Sequence, residues 1–469
     1  MENRNPALDF KKTNILHVIG NLADRQKVEV YAVGGYVRDV LLNRPCTDID
    51  FVVVGDALAF AKAVAKEFRS QRLTTYAKFG TALVVVQDHN LEFVTARKES
   101  YRSDSRKPDV VPADLKTDLA RRDFTINTLA VALNKSHFGE IVDLFDGRED
   151  LENGIIRTPL DPVVTFNDDP LRIMRAIRFA TQLNLNLESE TLTAIKREAP
   201  RLQIISQERI TDELMKILRA AKPSVGFRLM EEGGVLAVVF PEMLLLKGVE
   251  EREGFHHKDV FYHTLQVVDN VAAVSDNLFL RYAALVHDIA KPKTKQFVKG
   301  KGWTFHNHEE LGARMLYPIG KRLRLPNDMT KYAQKLTRLH LRPISLTEED
   351  VTDSAYRRLL VQAGDVLEDL LTLCRADITS QNPRRVKRHL ANFDFVVKRL
   401  NEVEEKDQMR SFQSPVRGDE IMKICALKPG PMVGKLKTAI EEAILDGKIP
   451  NEYDAAYQYL LKIKDDLIE

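Results

Sequence analysis

Residues Gly34 to Asp50, GGYVRDVLLNRPCTDID, gather two glycines, an Arg-Asp pair and two aspartates in a short span. The glycines follow VEVYAV (Val28–Val33), which reads as a strand, and precede Tyr36–Leu42, which can open a helix. Lacking side chains, Gly34 and Gly35 let backbone N–H groups approach a triphosphate closely. Asp48 and Asp50 alternate along DIDFVVV, and the period of a strand puts both carboxylates on one face. Two carboxylates on one face form a hard-oxygen site for Mg²⁺. Two such ions, held by three carboxylates, would activate a 3′-hydroxyl and stabilise a leaving pyrophosphate. Glu92 is the candidate third carboxylate. A GG turn or a DxD pair alone would be an ordinary turn or a solvated pair; together and in order they favour a site.

The elements that must position these groups follow from the pattern. Ala82–Val86 and Leu91–Thr95 read as a hairpin across Gln87–Asn90, and Asp56–Phe68 as a helix capped by Asp56. This is an α+β head. Residues 97–115 are charged and contain proline, so they read as a mobile loop. Past Asp168 the pattern is helical almost to the end. A length of 469 residues suggests about three domains. The expected boundaries are 1–155 for the head, 156–245 for a helical neck, 246–400 for a second α-domain and 401–469 for a helical tail. The last boundary rests on the polar stretch 400–417.

With 44% hydrophobic and 29% charged residues the composition is globular, which excludes a disordered or fibrous chain. A net charge of +2 excludes a strongly basic global field, so a nucleic-acid partner would be held by local patches. No apolar run is long enough for a membrane helix, and the N-terminal segment lacks a signal-peptide core. Cys46, Cys374 and Cys425 are far apart and fit a reducing, cytoplasmic setting.

GGxVRDxLL followed by DxD resembles motif A of the class II tRNA nucleotidyltransferases, the CCA-adding enzymes and bacterial poly(A) polymerases of the polymerase-β-like superfamily. DLARRDFTINTLA (Asp118–Ala130), DLFDGREDL (Asp143–Leu151), DDPLRIMRAIRFA (Asp168–Ala180) and QERITDEL (Gln207–Leu214) are similar to the later motifs, in the same order. The resemblance implies a polymerase-β-like head and nucleotidyl transfer with Mg²⁺, using CTP and ATP to build or repair the 3′ CCA of tRNA. A poly(A) polymerase, or an enzyme adding only A or only CC, are the nearest alternatives. Asp48, Asp50 and Glu92 would be catalytic. Gly34, Gly35, Arg38, Arg121, Arg122, Asp123 and Asn127 would hold the nucleotide. The arginines suit phosphate oxygens, and Asp123 and Asn127 suit ribose hydroxyls, with one of Arg121 and Arg122 expected in a salt bridge to Asp118 or Asp123. The Asp143–Asp150 motif would brace the head. Asp169 and Arg172, three apart and so on one helix face, would read the Watson–Crick edge of the base without a template. Arg175 and Arg178 continue that spacing, as nucleotide contacts or as salt-bridge partners at the core edge. The loop after Arg97 would help the switch from C to A addition.

Seven of the eleven histidines lie between His256 and His340. HKDVFYHTLQVVDN, LRYAALVHDIAKP and TFHNHEELGARM together look like an HD domain. By that resemblance His263, His287, Asp288 and Asp377 are core metal ligands, and His308 and His340 serve a second metal. Imidazoles with carboxylates suit Mn, Fe, Ni or Mg better than structural zinc. A metal-dependent phosphohydrolase is therefore a further activity, and the alternative from another class; a scaffold for RNA is the bland reading. Arg314, Lys321, Arg322, Arg324, Lys331, Lys335, Arg338 and Arg342, with Arg384, Arg385, Lys387 and Arg388, are candidate RNA phosphate contacts. Leu427–Tyr453 resembles a C-terminal tRNA-gripping segment of the same family.

Overall fold

A computed structural model of the chain describes residues 10, 14–102, 105–253, 256–299, 302–347, 351–380, 382–407 and 412–468. The side chains of Arg102, Arg106 and Lys107 of the charged segment and of His256 and His257 lie outside that description, as do residues 408–411 of the polar stretch. The chain divides into two compact units, Met1–Pro241 and Glu242–Glu469.

The first unit opens with helix α1 (Asn14–Gln26), strand β1 (Glu29–Val33), helix α2 (Gly35–Leu41), strand β2 (Asp48–Val54) and helix α3 (Ala57–Glu67). Strands β3 (Leu73–Tyr76), β4 (Thr81–Val86) and β5 (His89–Thr95) follow. With β8 (Ala130–Ala132) and β9 (Ile141–Val142) they form one sheet in the order β3-β4-β5-β2-β1-β8-β9. Within this sheet β2 and β5 pair in parallel and the other neighbours are antiparallel.

The period of β2 explains the placement of the site. Ile49, Phe51 and Val53 point into the main core with Val30, Leu91, Phe93 and the apolar sides of α1 and α3. Phe51 stacks on Phe93 at 4.7 Å. Asp48, Asp50 and Val52 take the opposite face, where Val52 joins a smaller cluster with Val33, Ala96, Leu119 and Ala130. Asp56 caps α3, accepting from the N–H groups of Leu58 and Ala59 at 2.9 and 3.0 Å.

The segment after Thr95 is not a loop. Arg97–Arg102 (β6) and Ser105–Pro112 (β7) pair as an antiparallel hairpin, and helix α4 (Leu115–Ala120) starts directly after it. The sequence of this ribbon is rich in charge and has no apolar period for sequence reasoning to detect. Helices α5 (Gly147–Asn153), α6 (Pro162–Asp168), α7 (Leu171–Leu183), α8 (Ser189–Glu198), α9 (Gln207–Leu218) and α10 (Pro223–Glu232) complete the body of this unit. Their apolar stripes interlock; on α7 the stripe is Ile173, Met174, Ile177 and Ala180.

The second unit is helical, with α11 (Val260–Ala272), α12 (Leu278–Val286), α13 (His308–Arg322), α14 (Asn327–Leu339), α15 (Asp353–Ala363) and α16 (Leu367–Asp377). The 25-residue α17 (Pro383–Asp407) runs through the boundary expected at residue 400. Its buried Phe393, Val396, Leu400 and Val403 recur at helical spacing, so the polar residues between them mark a solvated face rather than a linker. Helices α18 (Gly418–Ile424), α19 (Pro431–Leu445) and α20 (Tyr453–Ile468) bury Val416, Ile421, Leu436, Ile440, Ile444 and Leu460 together. No described helix is long and apolar enough to cross a membrane.

Candidate active site and metal centre

In the first unit, Asp48, Asp50, Glu92, Gly34, Gly35, Arg38, Arg121, Arg122, Asp123, Asn127, Asp169, Arg172, Arg175 and Arg178 all line one cleft of about 950 Å³. The parallel register of β2 and β5 sets Asp50 opposite Glu92 and Asp48 opposite Asn90. Asn90 Nδ2 donates to Asp48 Oδ1 at 2.8 Å, fixing that carboxylate. The Asp50 carboxyl is raised above the ordinary range, first by burial and then by Asp48, against the pull of Arg122. Glu92 is raised by burial and by Asp50. Two carboxyls that resist ionising, with Asp48 beside them, are a donor set suited to hard divalent cations such as Mg²⁺.

Only one glycine of the pair is conformationally required. Gly34 has φ +72°, and a Cβ there would lie 2.9 Å from Arg122 Nη1 and 3.8 Å from Asp50 Oδ2. Gly35 has no positive φ and opens α2. Arg38 is not a loose phosphate donor. Nearly buried, it donates to Asn127 Oδ1 at 2.6 Å and to both oxygens of Asp39 at 3.0 Å. Its guanidinium sits 5.0 Å over the Phe179 ring, which Arg178 and Arg175 also flank at 4.0 and 5.3 Å.

Both arginines of the second motif bind Asp118, where one such bridge was expected. Asp118 is fully buried and accepts from Arg121 at 2.6 Å and Arg122 at 3.2 Å. Arg122 still faces the carboxylates, and its buried Nε has no hydrogen-bond partner. Asp123 is not open to a ribose. It accepts from Arg175 at 2.8 and 2.5 Å and from Asn127 Nδ2 at 2.9 Å. Burial would raise its carboxyl, but Arg175 and Asn127 outweigh that and hold it at about 2. Arg178 pairs with Glu213, so both arginines beyond Arg172 are core-edge partners that also line the cleft. The third motif braces the head: Asp143 accepts from the N–H groups of Gly147 and Arg148, and Asp150 from Thr125 and Arg157.

Asp169 and Arg172 do not share a helix face. Asp169 precedes Pro170, which restricts it to extended backbone, and it lies between α6 and α7. Its Oδ1 accepts from Leu171 N–H at 3.1 Å. Arg172, in the first turn of α7, donates to the carbonyls of Arg121 at 2.7 Å and Thr165 at 3.4 Å. The two side chains thus reach the cleft from separately fixed supports. Arg209 of α9, 3.7 Å from Asp169 Oδ2, also lines the cleft. Neither Arg209 nor Asn90 was singled out from the sequence. Arg209 lies in the QERITDEL motif, which held the signal; Asn90 carried none.

In the second unit, His263, His287, Asp288, His308, His340 and Asp377 converge from helix ends and first turns. His263 and His287 face Asp377 Oδ1 at 2.8 and 3.5 Å. Asp288 Oδ2 is 3.2 Å from His287, and its Oδ1 is 3.3 Å from His308 and 3.8 Å from His340. Two ligand groups result, His263–His287–Asp288 and Asp288–His308–His340, sharing Asp288. Each Nδ1 is occupied: those of His287, His308 and His340 by the carbonyls of Ala284, Phe305 and Thr337, that of His263 by the Thr379 hydroxyl. This leaves every Nε2 turned inward as a prospective ligand atom. His287 Nε2 and Asp288 Oδ1 are buried without a hydrogen-bond partner, and Asp288 Oδ2 is ion-paired with Lys291. Burial opposes a charge on His287, yet Asp288 and Asp377 push it up to about 10. Burial and the neighbouring His287 bring His340 down to about 3, which keeps it neutral. Carboxylates that favour a cation on His287 would favour a divalent ion in the same place.

The basic stretch is less open than it reads. Arg314 and Arg338 both pair with Glu310, at 2.9 and 2.6 Å, and Arg322 pairs with Glu242.

Three family patterns match this chain: "Poly A polymerase head domain" over residues 30–157, "Probable RNA and SrmB- binding site of polymerase A" over 184–246, and "HD domain" over 260–381. An "A-adding tRNA nucleotidyltransferase" of Deinococcus radiodurans is 30% identical over 433 residues, 90% of this chain and 93% of that one. A "Multifunctional CCA protein" of Paraburkholderia phymatum is 34% identical over 326 residues, 67% of this chain and 74% of that one. A solved tRNA nucleotidyltransferase in complex with a primer tRNA and an incoming ATP analog superposes with a TM-score of 0.57 at 27% identity, covering 81% of this chain and 99% of that one. The fold is also that of a CCA-adding enzyme solved with CTP: TM-score 0.64, 22% identity, 99% and 98% coverage.

Proposed function

The chain belongs to the tRNA nucleotidyltransferase and poly(A) polymerase family, and from that premise we propose that it completes the 3′ CCA of tRNA from CTP and ATP without a template. The observation that carries this reading is the single cleft holding three carboxylates, an arginine wall and the Asp169–Arg172 pair. Magnesium bound by Asp48, Asp50 and Glu92 would supply Lewis-acid stabilisation of the phosphoryl group and the pyrophosphate. The other work belongs to the chain. Arg122 faces the triphosphate across Gly34. Asp169 accepts from a base amino group and Arg172 donates to a base acceptor, a pairing open to both C and A. Asp123, Arg175, Arg38 and Asn127 form the buried frame that keeps these supports rigid. The transfer joins the primer 3′-oxygen to the α-phosphorus and releases pyrophosphate.

Addition of A alone is a second reading, favoured by the Deinococcus radiodurans relative, whose match spans 93% of its length. The HD site supports a second activity, hydrolysis of phosphoesters to an alcohol and phosphate with consumption of one water. Its six ligand residues suit Mn, Fe, Ni or Mg.

The test is to incubate the protein with Mg²⁺ and three tRNAs, ending before CCA, after C and after CC. Each receives CTP, ATP or both, and products are resolved at single-nucleotide length. Stepwise C, C, A addition that stops is the expected result. Extension only of the CC-ending tRNA makes the enzyme A-adding; a long A ladder makes it a poly(A) polymerase.

A further inference from the structure

A cavity of about 250 Å³ opens beside the HD cluster, with His263 and Asp377 in its wall. The opposing wall is the first part of α17, where Arg385, His389 and Asn392 sit at i, i+4 and i+7 and so share one face. The HD match ends at residue 381, and α17 begins at Pro383, so this wall comes from outside the matched domain. Arg385 is exposed, and its guanidinium makes no hydrogen bond or ion pair with the described residues. The other cation of the wall, Lys291, is tied to Asp288 at 2.7 Å. The cavity therefore meets the ligand cluster on one side and a free forked cation with an imidazole on the other.

We propose that Arg385 and His389, from the helix that follows the HD domain, anchor the phosphate of the substrate hydrolysed at the HD site. The inference rests on the hydrolase reading of that site. A guanidinium offers two parallel N–H donors to phosphate oxygens. His389 adds a donor one turn further along the same face, and Asn392 an amide that can meet the ester's hydroxyls. A cavity of this volume is at the small end for ligand sites, which suits a phosphate on a sugar-sized group rather than a duplex.

The test uses the full chain loaded with Mn²⁺, with Arg385→Gln, Arg385→Lys and, as control, Lys398→Gln, an exposed residue of the same helix outside the cavity wall. Three quantities are read: bound manganese, the Kd of inorganic phosphate by calorimetry, and KM for hydrolysis of an aryl phosphomonoester. Expected for Arg385→Gln is unchanged manganese, phosphate bound at least about tenfold more weakly and KM raised to match. Arg385→Lys should recover part of the loss, and Lys398→Gln should equal wild type. Wild-type phosphate affinity and KM in Arg385→Gln would overturn the proposal. Phosphate binding that depends on Arg385 without any hydrolysis by wild type would keep the anchor and remove the hydrolase reading. Neither binding nor hydrolysis by wild type would remove both.

Discussion

Asp50 and Glu92 stand directly opposite each other on the parallel strands β2 and β5, both raised above the ordinary carboxylate range. Burial contributes most to each shift, and the Asp50 charge adds to that of Glu92. Such a pair binds a divalent cation best because the cation relieves the repulsion that the fold imposes. Substituting Asp50→Asn or Asp48→Ala is expected to lower single-turnover extension of tRNA by about 100-fold or more, the scale lost when a group stabilising the transition state is removed. Glu92→Gln should lower it less and raise the Mg²⁺ concentration needed. Retention of full extension by Asp48→Ala would remove the transferase from this cleft. Binding of tRNA, followed by gel shift, should be unchanged in all three.

The same shifts fix a pH dependence. A raised carboxyl takes up its proton at a higher pH than an exposed one, so metal-binding capacity is lost early on acidification. Extension rate should therefore fall at a pH above the usual carboxylate range. More Mg²⁺ should move the fall to lower pH, because metal competes with protons. A rate profile insensitive to Mg²⁺ concentration would show that the titration belongs elsewhere.

Base choice rests on two side chains held by different supports. Asp169 is fixed by the N–H of Leu171 and neighboured by Arg209, whereas Arg172 hangs on the carbonyls of Arg121 and Thr165. Asp169→Ala removes an acceptor but no buried partner, so the fold should persist while discrimination relaxes. Misincorporation of UTP or GTP relative to CTP or ATP should rise by about tenfold, a loss on the scale of one hydrogen bond to a charged group. Arg209→Lys should give a smaller change of the same sign. Competition between nucleotides in one extension reaction measures both.

Much of this site was legible in the sequence because its parts are local. Strand alternation placed Asp48 and Asp50 together, and Asp56 announced the start of α3. The register of β2 against β5 is a long-range choice, so Asn90 beside Asp48 could not be read from spacing. Pro170 was visible, yet counting three residues from Asp169 to Arg172 suggested a shared helix face that the proline prevents. The arginines looked alike in sequence. Only packing separates Arg38 and Arg175, locked to Asn127 and Asp123, from Arg122, which turns toward the carboxylates. The HD ligands were named through the resemblance to HD domains, but the sharing of Asp288 by two groups depends on four helices meeting.

The Asp123–Arg175 pair carries a stability prediction. The Asp123 carboxyl is held at about 2 against an ordinary 3.8, first opposed by burial and then lowered by Arg175. Its proton affinity is lower folded than unfolded. The pair's stabilisation is thus complete above about pH 4 and lost as the pH falls towards about 2. That shift corresponds to about 2 kcal/mol. Asp123→Asn should cost roughly that or more at pH 7, since Arg175 then loses its counter-charge. It should also flatten the acid limb. Urea unfolding of wild type and variant at pH 7 and pH 3 checks both parts. Equal stability at pH 7 would show that the pair contributes nothing net.

Metal loading of the second unit should separate the two ligand groups. Asp288 belongs to both, whereas His263 and His287 serve one and His308 and His340 the other. In Mn²⁺-treated protein, His340→Ala is expected to lose about one equivalent of metal and keep the other, because its group loses an Nε2 that Thr337 orients. His287→Ala should lose the complementary equivalent together with any phosphoester hydrolysis, while tRNA extension continues in the first unit. Asp288→Ala should lose both equivalents. Chelation of wild type should lower its melting temperature, since the ions neutralise a buried cluster in which His287 Nε2 and Asp288 Oδ1 have no hydrogen-bond partner. Equal metal loss in all three variants would mean that the cluster holds a single ion. Hydrolysis surviving in His287→Ala would assign that activity to another site.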